Sequence, residues 1–384
     1  MQTISKAGTV TLLAVACLTI MVGCVIVPGL TEIAENLGTP AAASWLVTVP
    51  SLGVVIFGPL AGWFIDRVGA YKALCGGLAL YGALGAGGVF LHGMVPVLID
   101  RLLLGGVTAV VMSAGTSLIS TFFSGQARLK MIATQGMSIE LGGVIFLFIG
   151  GLLATLGWQW PFLLYLVSWL FLGMMFLFVP EPVLRQEVSE RLDIHVTDDL
   201  SRRALTPIYF AALFSMVCFF TAIIIIPQYF HQMDIGAAET GYFLSFISLV
   251  AVFAAAAMPK VVAKLHELYT LYLAFICYVL GQLVFALAVS IPVLVIGGAF
   301  MGCGFGLSVP LVNHMTVERS HERRRGKNLA RLSMAIFSGQ FISSFMEFIP
   351  GSLAGVFLGT ALTGVLVIVV LMCWRQSFYS VTEG

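Results

Sequence analysis

Charge is what this chain has least of. Asp, Glu, Lys and Arg make up 10% of its 384 residues, against 59% hydrophobic residues. A water-soluble domain carries about 25% charged residues. So little polar surface cannot cover a globule of this size in water, and the composition is that of an integral membrane protein. Paired cysteine motifs are missing too. Cys17, Cys24, Cys75, Cys218, Cys277, Cys303 and Cys373 stand singly in apolar runs, with no CxxC and no His/Cys cluster. That pattern excludes a metal centre or disulfide frame of the usual spacing and reads as small packing residues. No GxxxxGK[ST] loop occurs, so nothing points to ATP as a driving force, and His321-Glu322 lacks the rest of a zinc-protease motif. Gly302-Cys303-Gly304-Phe305-Gly306 looks like half a nucleotide loop, but inside an apolar run close helix packing explains it. The expectation is a non-enzyme without cofactor or metal, and the net charge of +1 gives no reason to expect nucleic acid.

What is present is a series of apolar runs long enough to cross a bilayer. They lie near 8–30, 43–63, 72–92, 95–119, 131–156 and 159–179, then, after a polar stretch, near 205–228, 240–259, 269–290, 292–314, 329–349 and 351–374. The first continues past a faint processing signal at Ala14–Cys17 and is read as an uncleaved helix. This predicts an all-α membrane protein of twelve transmembrane helices in two six-helix bundles, residues 1–180 and 204–384, joined by a linker at 181–203. Of the 19 basic residues, 18 fall in the tails, the linker and the even-numbered connections; the other, Arg101, lies inside the fourth run. The bias places both termini in the cytoplasm.

The halves read as copies. Pro96-Val97-Leu98 opens the fourth run and Pro292-Val293-Leu294 the tenth; Ala127-Arg128-Leu129-Lys130-Met131 enters the fifth and Ala330-Arg331-Leu332-Ser333-Met334 the eleventh. Repeats of six helices joined by a polar linker are a recurring transporter plan. Between the second and third runs stands Gly62-x-x-x-Asp66-Arg67-x-Gly69, followed by Lys72; Arg101-Leu102-Leu103-Leu104-Gly105 lies in the fourth run, and Leu156-Gly157-Trp158-Gln159-Trp160-Pro161-Phe162 leads into the sixth. These motifs resemble the signature loop, the Arg-x-x-x-Gly motif and the sixth-helix turn of the major facilitator superfamily, the last as found in its bacterial twelve-helix drug and metabolite efflux branches. The fifth run departs from the antiporter pattern, with Phe146-Leu147 where Gly-Pro usually precedes the Gly150-Gly151 pair.

The resemblance implies proton-coupled export of a small amphipathic compound by alternating access, in a bacterial inner membrane, by a monomer whose partners are its substrate, protons and lipid. The alternatives are proton-coupled uptake of a small metabolite, or uncoupled facilitation. It also implies that Gly62, Asp66, Arg67, Gly69 and Lys72 form a conformational switch at the cytoplasmic ends of the halves. The second-half counterpart, Pro259-Lys260 to His266-Glu267, lacks the pattern and is expected only to orient the chain.

Ionisable groups inside spans are the residues to suspect first. Counting rise along the helices puts Arg101 about 9 Å from the outer end and Glu140 about 13 Å from the inner end, a vertical gap of about 8 Å in a core about 30 Å thick. Two long side chains can close that gap, so Arg101 and Glu140 are expected to pair, either for proton coupling or as a permanent structural bridge. Asp100 points about 100° away from Arg101 and ranks behind Glu140. Gln340, Ser343, Ser344 and Glu347 form a polar stripe on the eleventh run, and with Asn313 and Gln135 they supply the substrate-contact candidates.

Overall fold

The computed structural model describes residues 4–182, 198–288, 290–320, 325–350 and 352–375. Most of the linker (183–197), together with His321, Glu322, Arg323 and Arg324, lies outside the described residues. Every regular element among them is helical.

Helix α1, Lys6–Cys24, opens under the Ser5 hydroxyl, which accepts the Gly8 N–H at 3.0 Å and so satisfies one of the orphan amides of the first turn. It stops earlier than its apolar run. A turn over 25–29 precedes the short α2, Leu30–Asn36, because Pro28 has no N–H to offer and its ring obstructs the preceding turn. Helices α3 (Ala43–Val68) and α4 (Ala70–Gly87) are joined by Gly69 alone, at φ 92° and ψ 144°, a conformation in which a Cβ would clash. Then come α5 (Met94–Phe122), α6 (Gly125–Ala154), and a 3-10 turn, Trp160–Leu166, running into α7 (Val167–Phe178). Helix α8 (Asp198–Gln232) begins within the last residues of the expected linker. Helices α10 (Ile291–Glu318), α11 (Arg325–Ser343, ending in a 3-10 turn at Ser344–Phe348) and α12 (Leu353–Cys373) follow α9.

Helix α9, Ala237–Leu287, has 51 residues. At 1.5 Å per residue it would run for about 77 Å, more than twice the thickness of a bilayer core. It is broken at His266, whose φ of 63° is left-handed, so two apolar runs of the sequence share one nominally continuous helix. Ten helices among the described residues, α9 counted once, are long and apolar enough to cross a membrane.

Two compact units result, one of Met1–Pro182 with Ala222–Val252, the other of Val183–Thr221 with Phe253–Gly384. Small residues set the helix spacing inside each, as they do where lipid supplies no hydrophobic drive to associate. In the first unit Gly53 of α3 and Gly105 of α5 meet so closely that a Cβ on Gly105 would run into the Pro50 carbonyl. Gly150 of α6 lies against the Val25 carbonyl, and its neighbour Gly151 faces Gly241 of α9. In the second, Gly339 of α11 lies against the Leu213 carbonyl of α8, and Gly304 of α10 fits beneath the Tyr278 ring.

Candidate functional site

The first unit holds a buried cation. Arg101 is 1% exposed and is the largest side chain in the fully buried set. Its Nε lies 3.7 Å from Oδ2 of Asp100, itself buried. Its Nη1 donates to the Tyr165 hydroxyl at 3.1 Å, and that hydroxyl donates in turn to the Val22 carbonyl at 2.8 Å. The guanidinium carbon lies 5.2 Å from the Phe162 ring centre and 5.6 Å from that of Tyr165, within the range of cation–π attraction. Tyr81 of α4 stands beside Tyr165, with ring centres 5.9 Å apart, and bonds the Leu18 carbonyl at 2.8 Å. Gly88 closes the cage: a Cβ there would sit 2.5 Å from Nη2 of Arg101 and 3.1 Å from Oδ2 of Asp100. Among the described residues Arg101 Nε and Nη2 and Asp100 Oδ2 have no hydrogen-bond partner, so the pair is held by charge and aromatic faces with hydrogen-bonding capacity to spare.

The expected pairing of Arg101 with Glu140 is not formed. Among the described residues the carboxylate in ion-pair reach of Arg101 is that of Asp100. The 100° offset between the two Cα positions misjudged the outcome because side chains on a helix lean toward its N-terminus, and an arginine is long enough to bring Nε back over its neighbour. Glu140 is partly exposed on α6 and forms no ion pair among the described residues. Helical spacing puts it on one stripe with Val144, Leu147 and Gly151. That stripe meets the first part of α9, where Ser245 donates to the Val144 carbonyl at 3.1 Å and a Cβ on Gly241 would sit 2.8 Å from the Leu147 carbonyl. On the neighbouring face the Cys17 thiol of α1 donates to the Ser138 carbonyl at 3.0 Å. Cys24, the last residue of α1, is close enough to Glu140, Tyr81 and Tyr165 to interact with them electrostatically, so the end of α1 neighbours both the arginine cage and Glu140.

The remaining candidates are scattered. Gln135 is buried and donates to Thr116 of α5 at 3.1 Å, tying α6 to α5. Asn313 donates back to the Val309 carbonyl at 3.0 Å. Ser343 and Ser344 return their hydroxyls to the Gln340 and Phe341 carbonyls, both at 2.6 Å. These back-bonds accompany the tightening of α11 into its 3-10 turn and leave the stripe with less polarity to offer than its spacing promised. Gln340 is buried and Glu347 half-buried.

In the signature loop Asp66, Arg67 and Lys72 are exposed. Arg67 stacks 5.2 Å from the Trp63 ring centre, and Lys72 pairs with Glu181 at 3.4 Å. Asp66 makes no ion pair among the described residues, while Gly62 is half-buried with open space at its Cβ position. The second-half stretch corrects the sequence reading. Arg319 Nη2 donates to Glu267 Oε2 at 2.6 Å, with His314 Nε2 3.8 Å from the other carboxylate oxygen. The Arg319 side chain is only 9% exposed, so this is a built ion pair joining α9 to α10 and more than an orienting charge. Glu267, Tyr165, Tyr81 and Gly88 had no motif to announce them. Phe162 did, as the last residue of the Leu156–Phe162 motif.

Long apolar helices around a buried charge pair are the construction of a membrane transport protein. Residues 11–344 match the Major Facilitator Superfamily, and the chain belongs to that family. Over 161 residues it is 26% identical to the uncharacterized MFS-type transporter EfpA of Mycobacterium tuberculosis, a match covering 41% of this chain and 29% of that relative. Among solved structures it is similar to a POT family transporter crystallised with 5-aminolevulinic acid (12% identity, TM-score 0.80, 97% of each chain) and to a D-xylose-proton symporter (18% identity, TM-score 0.77, 97% of this chain and 98% of that one). At these identities the structural likeness establishes the fold.

Proposed function

We propose that this protein is a proton-coupled secondary transporter that exports a small amphipathic organic compound by alternating access. The observation that carries the reading is the sealed Asp100–Arg101 pair. Desolvating two charges costs several kcal/mol per ion, and apolar residues would fill the same place without that cost. Glu140 is the proton carrier: no cation in ion-pair reach among the described residues holds it ionised, and it keeps accessible surface beside α1 and α9. Arg101, with Asp100, modulates it. The chain crosses the bilayer twelve times, with α9 counted as two crossings and α11 with its 3-10 turn as one. Both termini face the cytoplasm of a bacterial inner membrane, and the protein works as a monomer. Asp66, exposed and without an ion pair among the described residues, forms and releases the switch contact at the cytoplasmic ends of the halves, and Arg67 and Lys72 flank it. Gln340, Ser344, Glu347, Asn313 and Gln135 are the side chains against which a substrate is to be sought.

The test is purified protein in liposomes with a trapped pH dye, challenged from outside with a panel of organic cations, anions and neutral metabolites. Export by antiport drives protons out and alkalinises the lumen, and Glu140→Gln abolishes the signal while the protein still inserts and folds. Acidification replaces export by uptake. Transport without a pH signal refutes proton coupling.

A further inference from the structure

We infer that Tyr165 is the positioning residue through which the charge state of the Asp100–Arg101 pair reaches the end of α1. The inference rests on the proton-coupled reading and adds the path by which protonation acts on the backbone. Val22 is among the last four residues of α1, whose carbonyls have no partner within the helix. Its carbonyl is satisfied by the Tyr165 hydroxyl, and the oxygen of that hydroxyl accepts Nη1 of Arg101. One hydroxyl therefore joins a buried guanidinium to the negative end of a helix, the end at which a cation is favourable.

With Asp100 ionised, the guanidinium is shared between the carboxylate at Nε and the hydroxyl at Nη1. When Asp100, acting beside Glu140 in the coupling, takes a proton from hydronium, a carboxyl O–H forms, a water molecule is left and the counter-charge disappears. The guanidinium cannot discharge itself, so its field then falls on Tyr165 and, through the O–H, on the Val22 carbonyl. The link to α1 tightens on protonation and slackens on release. Among the described residues the uncharged groups facing this link are Tyr81 from α4, Cys24 from α1 and Phe162 from the turn before α7, and the further ionisable group near the end of α1 is Glu140 of α6, which reaches Cys24. Just beyond Val22, α1 gives way to the turn over 25–29, beside which Gly150 of α6 lies on the Val25 carbonyl. Gly88 serves the same arrangement, because any side chain there would push Nη2 away.

Hydrogen–deuterium exchange on the purified full-length protein at one pH, with no substrate and no gradient, tests this. Asp100→Asn stands for the protonated state. In the otherwise unchanged protein it should slow amide exchange over residues 23–29 about tenfold relative to the rest of the first unit, whose exchange reports the variant's general loss of stability; tenfold is the scale of strengthening one charge-assisted hydrogen bond. In the Tyr165→Phe background, where the ring and its contact with the guanidinium remain, the slowing should vanish. Equal slowing in both backgrounds overturns the proposal, and so does no slowing in either. Should Tyr165→Phe fail to fold, Gly88→Ala takes its place, and persistence of the slowing there overturns the proposal too. Proton coupling itself is decided by the liposome dye, so failure of one reading is distinguishable from failure of the other.

Discussion

The sharpest energetic consequence of the structure concerns the pair Asp100 and Arg101. At a separation of 3.7 Å and an effective dielectric constant of about 20, their attraction is about 4 kcal/mol. Removing one partner of a buried pair loses this and leaves the other charge uncompensated, a cost of about 3–5 kcal/mol. Asp100→Asn should cost at least as much as Arg101→Met, since a carboxyl left alone can take a proton whereas a guanidinium cannot lose one. The double variant has no orphan charge and should be more stable than either single one. For a unit of roughly 200 residues, each single loss amounts to a fall on the order of 10 °C in unfolding temperature. The assay is a thermal scan of the four proteins in one detergent at one scan rate, read as a double-mutant cycle. Additive losses, with the double variant the least stable, would show that the two charges do not sense each other and would refute the reasoning.

Other expectations follow from single contacts. Gly241→Ala would place a methyl 2.8 Å from both Gly151 Cα and the Leu147 carbonyl, so α6 and α9 must part and stability should fall by about 1–3 kcal/mol; a thermal scan checks this, with Gly62→Ala, where a Cβ meets nothing within 4 Å, as the control that does not fall. Glu267→Gln removes an anionic partner of a mostly buried Arg319 and should destabilise measurably, whereas Lys72→Ala, which breaks an ion pair exposed on both sides, should leave the unfolding temperature unchanged. Gly69→Ala forces a Cβ into a φ of 92° and should cost about 1–3 kcal/mol although the space around it is open; an unchanged unfolding temperature would mean the turn has relaxed into another form.

Much of this protein was written in its apolar runs. Each is helical over most of its length among the described residues, because a polypeptide in lipid has to satisfy its own backbone and only a helix does so within one segment. The signature loop likewise announced Gly69, since a one-residue connection leaves no choice but a backbone that glycine alone adopts freely. Arg101 stood out as a charge in an apolar span, and it proved to be among the most buried side chains.

What the sequence could not supply were facts about pairs distant along the chain and about where long side chains go. Helical periodicity locates a Cα to within a turn; it does not say that Arg101 folds back to Asp100 and passes over Glu140, or that Tyr165, 64 residues away, stands between it and α1. The ion pair of Glu267 with Arg319 joins residues 52 positions apart, and the approach of α9 to α6 shows in Gly151 and Gly241 meeting without side chains. Local composition determined which segments are helices and that they lie in lipid. Only tertiary packing, by bringing carbonyls, rings and charges from separate helices within bonding distance, decided which of those residues make a site.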